Sequence, residues 1–326
     1  MDISNTGCHG VTQRIMSTLA EVDASTISKR LQNFGMEPID SSVRKQRKYC
    51  IEDVRKILQS YFPGRYTVVK KMQSFFNFKG GVGKTSICFQ VGCHLALCGY
   101  KVLLIDLDSQ AHLSASLGIP ISDAYLTFYD ACVGNAKIQD VIQNLYEGLD
   151  CIPSNFSLNR AELDITEGSV AGAFLENIFE PVIDKYDFIL FDMNATLSYM
   201  NVRVLSQCDV VNIVTETQAY GVQSANAVVQ NVRQSCLDRN IKCPEMLMIP
   251  NKYEDRSAVS CEAMYILRKE YSDYLIPDFV IRKSEDFNTS NKNSLPLAFF
   301  CRSNSIAFED IVELIKRIVR SSSKAK

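Results

Sequence analysis

Lys79 and Lys84 stand on either side of a run of glycines in FNFKGGVGKTS, residues 76–86. Glycines allow backbone N–H groups to converge on an anion, and a helix beginning just after them adds its partial positive charge. Gly80, Gly81, Val82, Gly83, Lys84, Thr85 and Ser86 are the candidate phosphate cradle. Lys84 is placed to reach the β and γ phosphates of a nucleotide, and Thr85 to offer its hydroxyl to Mg2+. The common GxxxxGK[ST] spacing is not met, because its first glycine would fall at Phe78. One lysine suffices for such a loop, which leaves Lys79 without a task. Carboxylates end two apolar runs: Asp106 and Asp108 in VLLIDLDSQ, and Asp192 in YDFILFDMNATL.

Elements that could position these groups are readable from the pattern. SFFNF reads as a strand and Thr85 to Leu97 as a helix, with Ile87, Val91 and Leu95 four apart and Gly99 at its end. KVLLID, LDCIP, YDFILFD, DVVNIVT and EMLMIPN read as further strands. Continuous β-branched and aromatic runs separated by helices predict a doubly wound, mostly parallel α/β sheet with ligands at the carboxyl ends of its strands. The chain has 326 residues, 46% of them hydrophobic, and a formal charge of −2. It contains no uninterrupted apolar run of the roughly 18 residues a membrane span requires. The start, MDISNTGCHGVTQR, lacks the basic and apolar character of a signal peptide, so a cytoplasmic location is expected. The 12 cysteines include no CxxC pair and read as reduced thiols. His9, His94 and His112 are scattered and carry no catalytic assignment.

Charge is uneven along the chain. Residues 1–71 hold 12 Lys and Arg against 7 Asp and Glu, while the remainder holds 23 against 30. Val11, Ile15, Leu19 and Val22 follow helical spacing, as do Ile27, Leu31 and Phe34, with Asp23 or Ser25 as N-cap between them. IEDVRKILQSYF places Ile51, Val54, Ile57, Leu58 and Tyr61 on a third helical face. Residues 1–65 are therefore read as a small helical module resembling a winged helix-turn-helix. Its recognition helix would present Ser25, Thr26, Ser28, Lys29 and Arg30, and its basic turn Arg44, Lys45, Arg47 and Lys48, to DNA. Residues 66–72 are expected to be a linker, 73–320 the α/β domain that carries the glycine loop, and 321–326 a frayed tail.

KGGVGKTS resembles the deviant Walker A motif of the ParA/MinD superfamily. The resemblance implies that Lys79 is a signature lysine reaching the nucleotide of a second subunit across an ATP-sandwiched homodimer. DLDSQ resembles the family's DxDPQ segment, with Ser109 in place of proline. Asp108 would then help activate water, and Asp106 would support Mg2+. YDFILFD resembles the Walker B segment and assigns Asp192 to Mg2+ through water, although Met193, Asn194 and Ala195 replace the family's switch-loop residues. IPNKYED looks like the guanine-reading NKxD motif with Glu254 for aspartate. ParA relatives carry an asparagine there and bind adenine, so Asn251 is assigned to the base edge of ATP.

LTFYDACVG, LDCIPSNFSLNRAELDI and VIRKSEDFNTSNKNSLPL resemble segments of partition ATPases in order, over about residues 72 to 319. This implies an ATP-dependent dimer that binds DNA without sequence preference, through Arg282 and Lys283 among others. A ParB-like centromere-binding protein would stimulate hydrolysis, and nucleoid association would follow. Larger plasmid-type members repress their own operon through an N-terminal helix-turn-helix. Two alternatives stand beside this reading: a MinD-like ATPase cycling on membrane, and a transcription regulator controlled by nucleotide. The last helix, AFEDIVELIKRIVR, has its apolar stripe at Ile311, Leu314, Ile315 and Ile318 and is expected to pack on the domain rather than on lipid.

Overall fold

A computed structural model describes residues 10–40, 47–158, 174–196 and 198–325 of the chain. Its centre is a seven-stranded sheet. The strands are β4 (Met72–Phe76), β5 (Val102–Leu107), β6 (Gln143–Tyr146), β7 (Leu149–Ile152), β8 (Phe188–Met193), β9 (Val210–Glu216) and β10 (Glu245–Asn251). Their order is β10-β9-β4-β8-β5-β7-β6, parallel throughout except for β6, which runs antiparallel at the edge. Every residue of β5, β8 and β9 is buried, as strands covered on both faces must be. Alternate side chains feed two cores: Leu103, Ile105 and Leu107 enter one, Val102 and Leu104 the other.

The chain before the sheet begins with β1 (Val11–Thr12), paired to β2 (Lys48–Tyr49), and three helices: α1 (Gln13–Ala20), α2 (Ala24–Asn33) and α3 (Ile51–Leu58). α1 and α2 are joined by Glu21, Val22 and Asp23, with Glu21 in the left-handed region at φ 52°. Asp23 sits at the N-cap position of α2 without a side-chain capping bond. Phe34, expected on the apolar face, lies beyond the end of α2 and is 63% exposed.

Ile15, Leu19, Val54 and Ile57 join the same apolar cluster as α4 (Lys84–Leu97), the helix that follows the glycine loop, and the C-terminal helix Ile306–Ser322. Three short helices have too little interior of their own, so they bury their stripes against the larger body. Ile311, Leu314, Ile315 and Ile318 of the C-terminal helix are at most 1% exposed and belong to this core.

Polar contacts fasten the joint. Arg55 of α3 donates through Nη1 to the carbonyls of Ala96 and Tyr100, at and just beyond the carboxyl end of α4. A cation there meets the negative end of the helix dipole. Lys316 bonds Glu21 at 2.8 Å, and Lys48 donates to the Phe299 carbonyl at 3.2 Å. His94, buried in α4, donates from Nδ1 to the Gln90 carbonyl and accepts from the Ala298 N–H at Nε2; burial lowers its pKa to about 4, so it stays neutral.

Two stretches depart from the sequence expectation. Tyr66–Val68, inside the expected linker, forms β3 and pairs antiparallel with β11 (Ser323–Ala325), inside the expected frayed tail. Ser322 adds a 2.8 Å bond to Gln73 and accepts the Val69 N–H. A serine-rich composition says nothing of a backbone partner more than 250 residues away in the chain, and that partner decides the outcome.

Because α3 and α4 share one interior, loss of the Arg55 contact should be felt by the whole chain. Arg55→Ala is expected to lower unfolding free energy by about 2 kcal/mol in urea denaturation, with a single transition retained. An unchanged midpoint would show that the guanidinium contributes nothing to the joint.

Candidate functional site

The glycine loop leaves β4, an interior strand of the sheet, and enters α4, so it lies at the carboxyl edge. Gly81 and Gly83 have φ of 75° and 97°, which favours glycine at both. Crowding adds a second reason at Gly83, where a Cβ would lie 2.4 Å from the Asn251 amide nitrogen. Gly80 and Gly81 are exposed, with open space above them.

Asn77, buried before the loop, donates to the Val214 carbonyl at 2.8 Å and accepts the Lys79 N–H at 3.0 Å. Lys84 is 8% exposed and its Nζ donates to the Lys79 carbonyl at 3.2 Å. Burial lowers its pKa, opposed by Asp192 and Asp108. Thr85 and Ser86 follow on the first turn, and Ser86 accepts a 2.9 Å bond from Asn291.

Asp106 and Asp192 are register partners on the adjacent strands β5 and β8, and both are fully buried. Asp106 is well satisfied: one oxygen accepts from the N–H and hydroxyl of Ser114 at 2.8 and 2.7 Å, the other from the Asp108 N–H at 3.1 Å. Burial nonetheless raises its pKa to about 6. Among the described residues neither oxygen of Asp192 has a hydrogen-bond partner of ordinary geometry. Burial first, then the neighbouring Asp106, drives its pKa well above the usual carboxylate range, while Thr85 and Lys84 pull it down. A buried carboxylate with two open oxygens beside a threonine hydroxyl is suited to a hydrated Mg2+. Asp108 is half-buried at the strand end, its carboxylate accepting the Gln110 N–H at 3.0 Å.

Asn251 braces the loop. Its amide donates to the Val82 carbonyl at 2.8 Å and its oxygen accepts the Lys252 N–H at 2.8 Å. The sequence assignment to a base edge thus falls on a side chain already holding the loop in place. Lys79 does not project freely: its Nζ meets Glu216 at 2.5 Å. Glu216 also binds Lys252 at 2.7 Å, and Lys252 reaches the Gly81 carbonyl at 2.6 Å. Burial pushes the Glu216 carboxyl up, but the two lysines prevail and hold it below its ordinary range. Sequence reading missed both Glu216 and Lys252. The only local signal was that each lies at the end of an apolar strand, beside the crevice.

In the loop after β8, Asn194 takes over an organising role. Its side-chain oxygen accepts from Thr196 N–H and hydroxyl and from Asn201 at 2.6 Å. Of the expected DNA contacts, Ser25, Thr26, Lys29 and Arg47 are exposed, and Ser28 is half-buried. Arg30 lies 4.5 Å over the Tyr61 ring and bonds Ser60. Lys48 turns inward to Phe299, while Arg44 and Lys45 fall outside the described residues. Arg282 is clamped by Asp310 through Nη2 at 2.5 Å and Nε at 3.1 Å, and Lys283 meets Glu254 at 3.0 Å. Both cations expected to meet phosphates are therefore matched by carboxylates of the same chain. A cavity of about 990 Å3 lies at the amino ends of β4, β9 and β10, away from the loop.

A family model described as an AAA domain matches residues 70–243, more than half of the chain. The chain is similar to the cell division protein PomZ of Myxococcus xanthus, at 28% identity over 79% of this chain and 80% of that one. It is 27% identical to the chromosome-partitioning ATPase Soj of Treponema pallidum, over 69% of this chain and 88% of that one. Among solved structures, apo McdA of Cyanothece superposes with a TM-score of 0.68 at 21% identity, covering 76% of this chain and 98% of that one.

The two buried carboxylates yield a prediction with a definite sign. A raised folded-state pKa means that the folded chain keeps a proton the unfolded chain releases. Stability should therefore fall as pH rises from the ordinary carboxylate range through about 6, and stay low above it, in the absence of nucleotide. Asp192→Asn should raise the nucleotide-free unfolding free energy at neutral pH by about 2 kcal/mol while abolishing Mg2+-dependent stabilisation by ATP. Thermal melts at pH 5 and 7.5 with and without Mg-ATP check both, and a destabilised Asp192→Asn variant would contradict the assignment.

Proposed function

We propose, for a chain that belongs to this AAA-domain family and stands among ParA-, Soj- and PomZ-like ATPases, that it is a Mg2+-dependent ATPase of DNA partition. The carrying observation is that Lys84, Thr85, Asp106, Asp108 and Asp192 lie close enough at the carboxyl edge of β5 and β8 to act on one another's charge. Loop N–H groups and Lys84 would hold the phosphates, and Asp108, at the rim, would orient the attacking water. Mg2+, when held by Thr85 with Asp106 and Asp192, supplies charge neutralisation at the phosphate oxygens. Lys84 and the Thr85 hydroxyl offset only part of the buried Asp192 charge, which supports a bound cation there.

Lys79 carries the paired-subunit part of the proposal. Pulled from Glu216, its ammonium would serve the phosphates bound by a second copy, closing a dimer around two nucleotides. That dimer would bind DNA by charge. The exposed Ser25, Thr26 and Lys29 of α2, and the exposed Arg47 before β2, support an N-terminal DNA contact, in a cytoplasmic, nucleoid-associated protein. A ParB-like partner would stimulate hydrolysis and release. The MinD-like alternative loses weight because the apolar stripe of the C-terminal helix is buried in the core rather than available to lipid.

The test is binding to random-sequence duplex DNA with a slowly hydrolysed ATP analogue or ADP, across a salt series. Binding is expected only with the ATP analogue, to fall by about a hundredfold or more between roughly 50 and 200 mM salt, and to be lost in Lys79→Ala. Lys29→Ala combined with Arg47→Ala should weaken it and flatten the salt slope. Binding indifferent to nucleotide and to Lys79 would overturn the partition reading and favour a nucleotide-bearing regulator.

A further inference from the structure

The contacts around Glu216 form a closed bracket across the loop mouth. β9 ends at Glu216, directly beside Asn251, the last residue of β10. Its side chain is 11% exposed, and its two oxygens are divided between two ammonium groups, Lys79 at 2.5 Å and Lys252 at 2.7 Å. Lys252 is held in the left-handed region at φ 56°, a conformation a lysine adopts at some cost. That backbone sends its side chain back over the loop to the Gly81 carbonyl. An exposed ion pair contributes little, but a mostly buried carboxylate with two lysines is screened far less.

We infer that Glu216 is a positioning residue for Lys79: it holds this lysine within its own subunit until subunit pairing draws it away, with Lys252 competing for the same carboxylate. The inference rests on the paired-subunit reading of Lys79. Its physical logic is competition. Lys79 cannot serve both the Glu216 carboxylate and the phosphates of a second subunit, so every increment of cis attraction raises the concentration at which two copies pair. Lys252 moderates that attraction by occupying the other oxygen. Freed of Lys79, Glu216 keeps Lys252 and is not left as an unpaired buried charge.

Opposite signs distinguish this from a merely structural role. With a saturating, slowly hydrolysed ATP analogue, the monomer–dimer dissociation constant is measured by sedimentation for wild type, Glu216→Gln, Lys252→Met and Lys79→Ala. Glu216→Gln is expected to tighten pairing about tenfold and Lys252→Met to weaken it several-fold, because Lys79 then faces Glu216 alone. Glu216→Gln combined with Lys79→Ala should pair no better than Lys79→Ala. If both single variants weaken pairing, or neither changes it, the bracket has no such role. A thermal melt identifies a variant that fails to fold, in which case the remaining one still decides by its sign. If wild type never pairs, the paired-subunit reading itself fails. Glu216→Gln then tests the cis hold through analogue affinity: a gain that disappears in Lys79→Ala supports the hold, and no gain removes it.

Discussion

Asp106 and Asp192 face each other from adjacent strands with no solvent contact, and much else at the carboxyl edge answers to that constraint. Two like charges in a buried setting repel and are poorly solvated, so at least one must be neutralised by proton or cation. The chain satisfies Asp106 with the Ser114 N–H and hydroxyl and gives Asp192 no hydrogen bond of ordinary geometry among the described residues. Lys84 and Thr85, delivered by the first turn of α4, are the nearest compensating groups. The glycine loop, the helix and the two carboxylates are thus one electrostatic unit, incomplete without a cation and an anion together.

The same edge is stitched laterally. Asn77 ties the loop to β9, Asn251 ties it to β10, and Glu216 gathers Lys79 and Lys252 over it. These bonds join residues that start or end three neighbouring strands, so the loop's shape depends on the register of the sheet. The N-terminal helices act on the other end of α4, where Arg55 closes over its last carbonyls. A module read from sequence as a separate unit shares its interior with the nucleotide domain, because its stripes are too small to enclose a core alone.

The central strands were legible because a parallel strand buried on both faces must be apolar without interruption, and VLLIDL, FILFDM and VVNIVTE are nearly so. β6 was not legible: QNLY at the sheet's edge is half-polar, as an antiparallel edge strand can be. Nor were β3 and β11, whose order comes from each other. Lys84, Thr85, Asp106, Asp108 and Asp192 were legible because each sits at a fixed step from a strand end or a glycine turn. Arg282 and Lys283 are expected from the resemblance to meet DNA phosphates, yet Asp310 and Glu254, distant in sequence, pair with them.

What the sequence alone determined was local: which runs must be buried, where glycines permit an anion to approach, and which carboxylates end a strand. Those features depend on a few neighbouring residues and on the periodicity of backbone structure. Tertiary structure alone decided which charges are free. Lys79 with Glu216, Arg55 with the end of α4, and Arg282 with Asp310 are pairings of groups from 28 to 137 residues apart, and no spacing rule connects them. A charge's chemistry depends on its solvation and its partners, and folding supplies both.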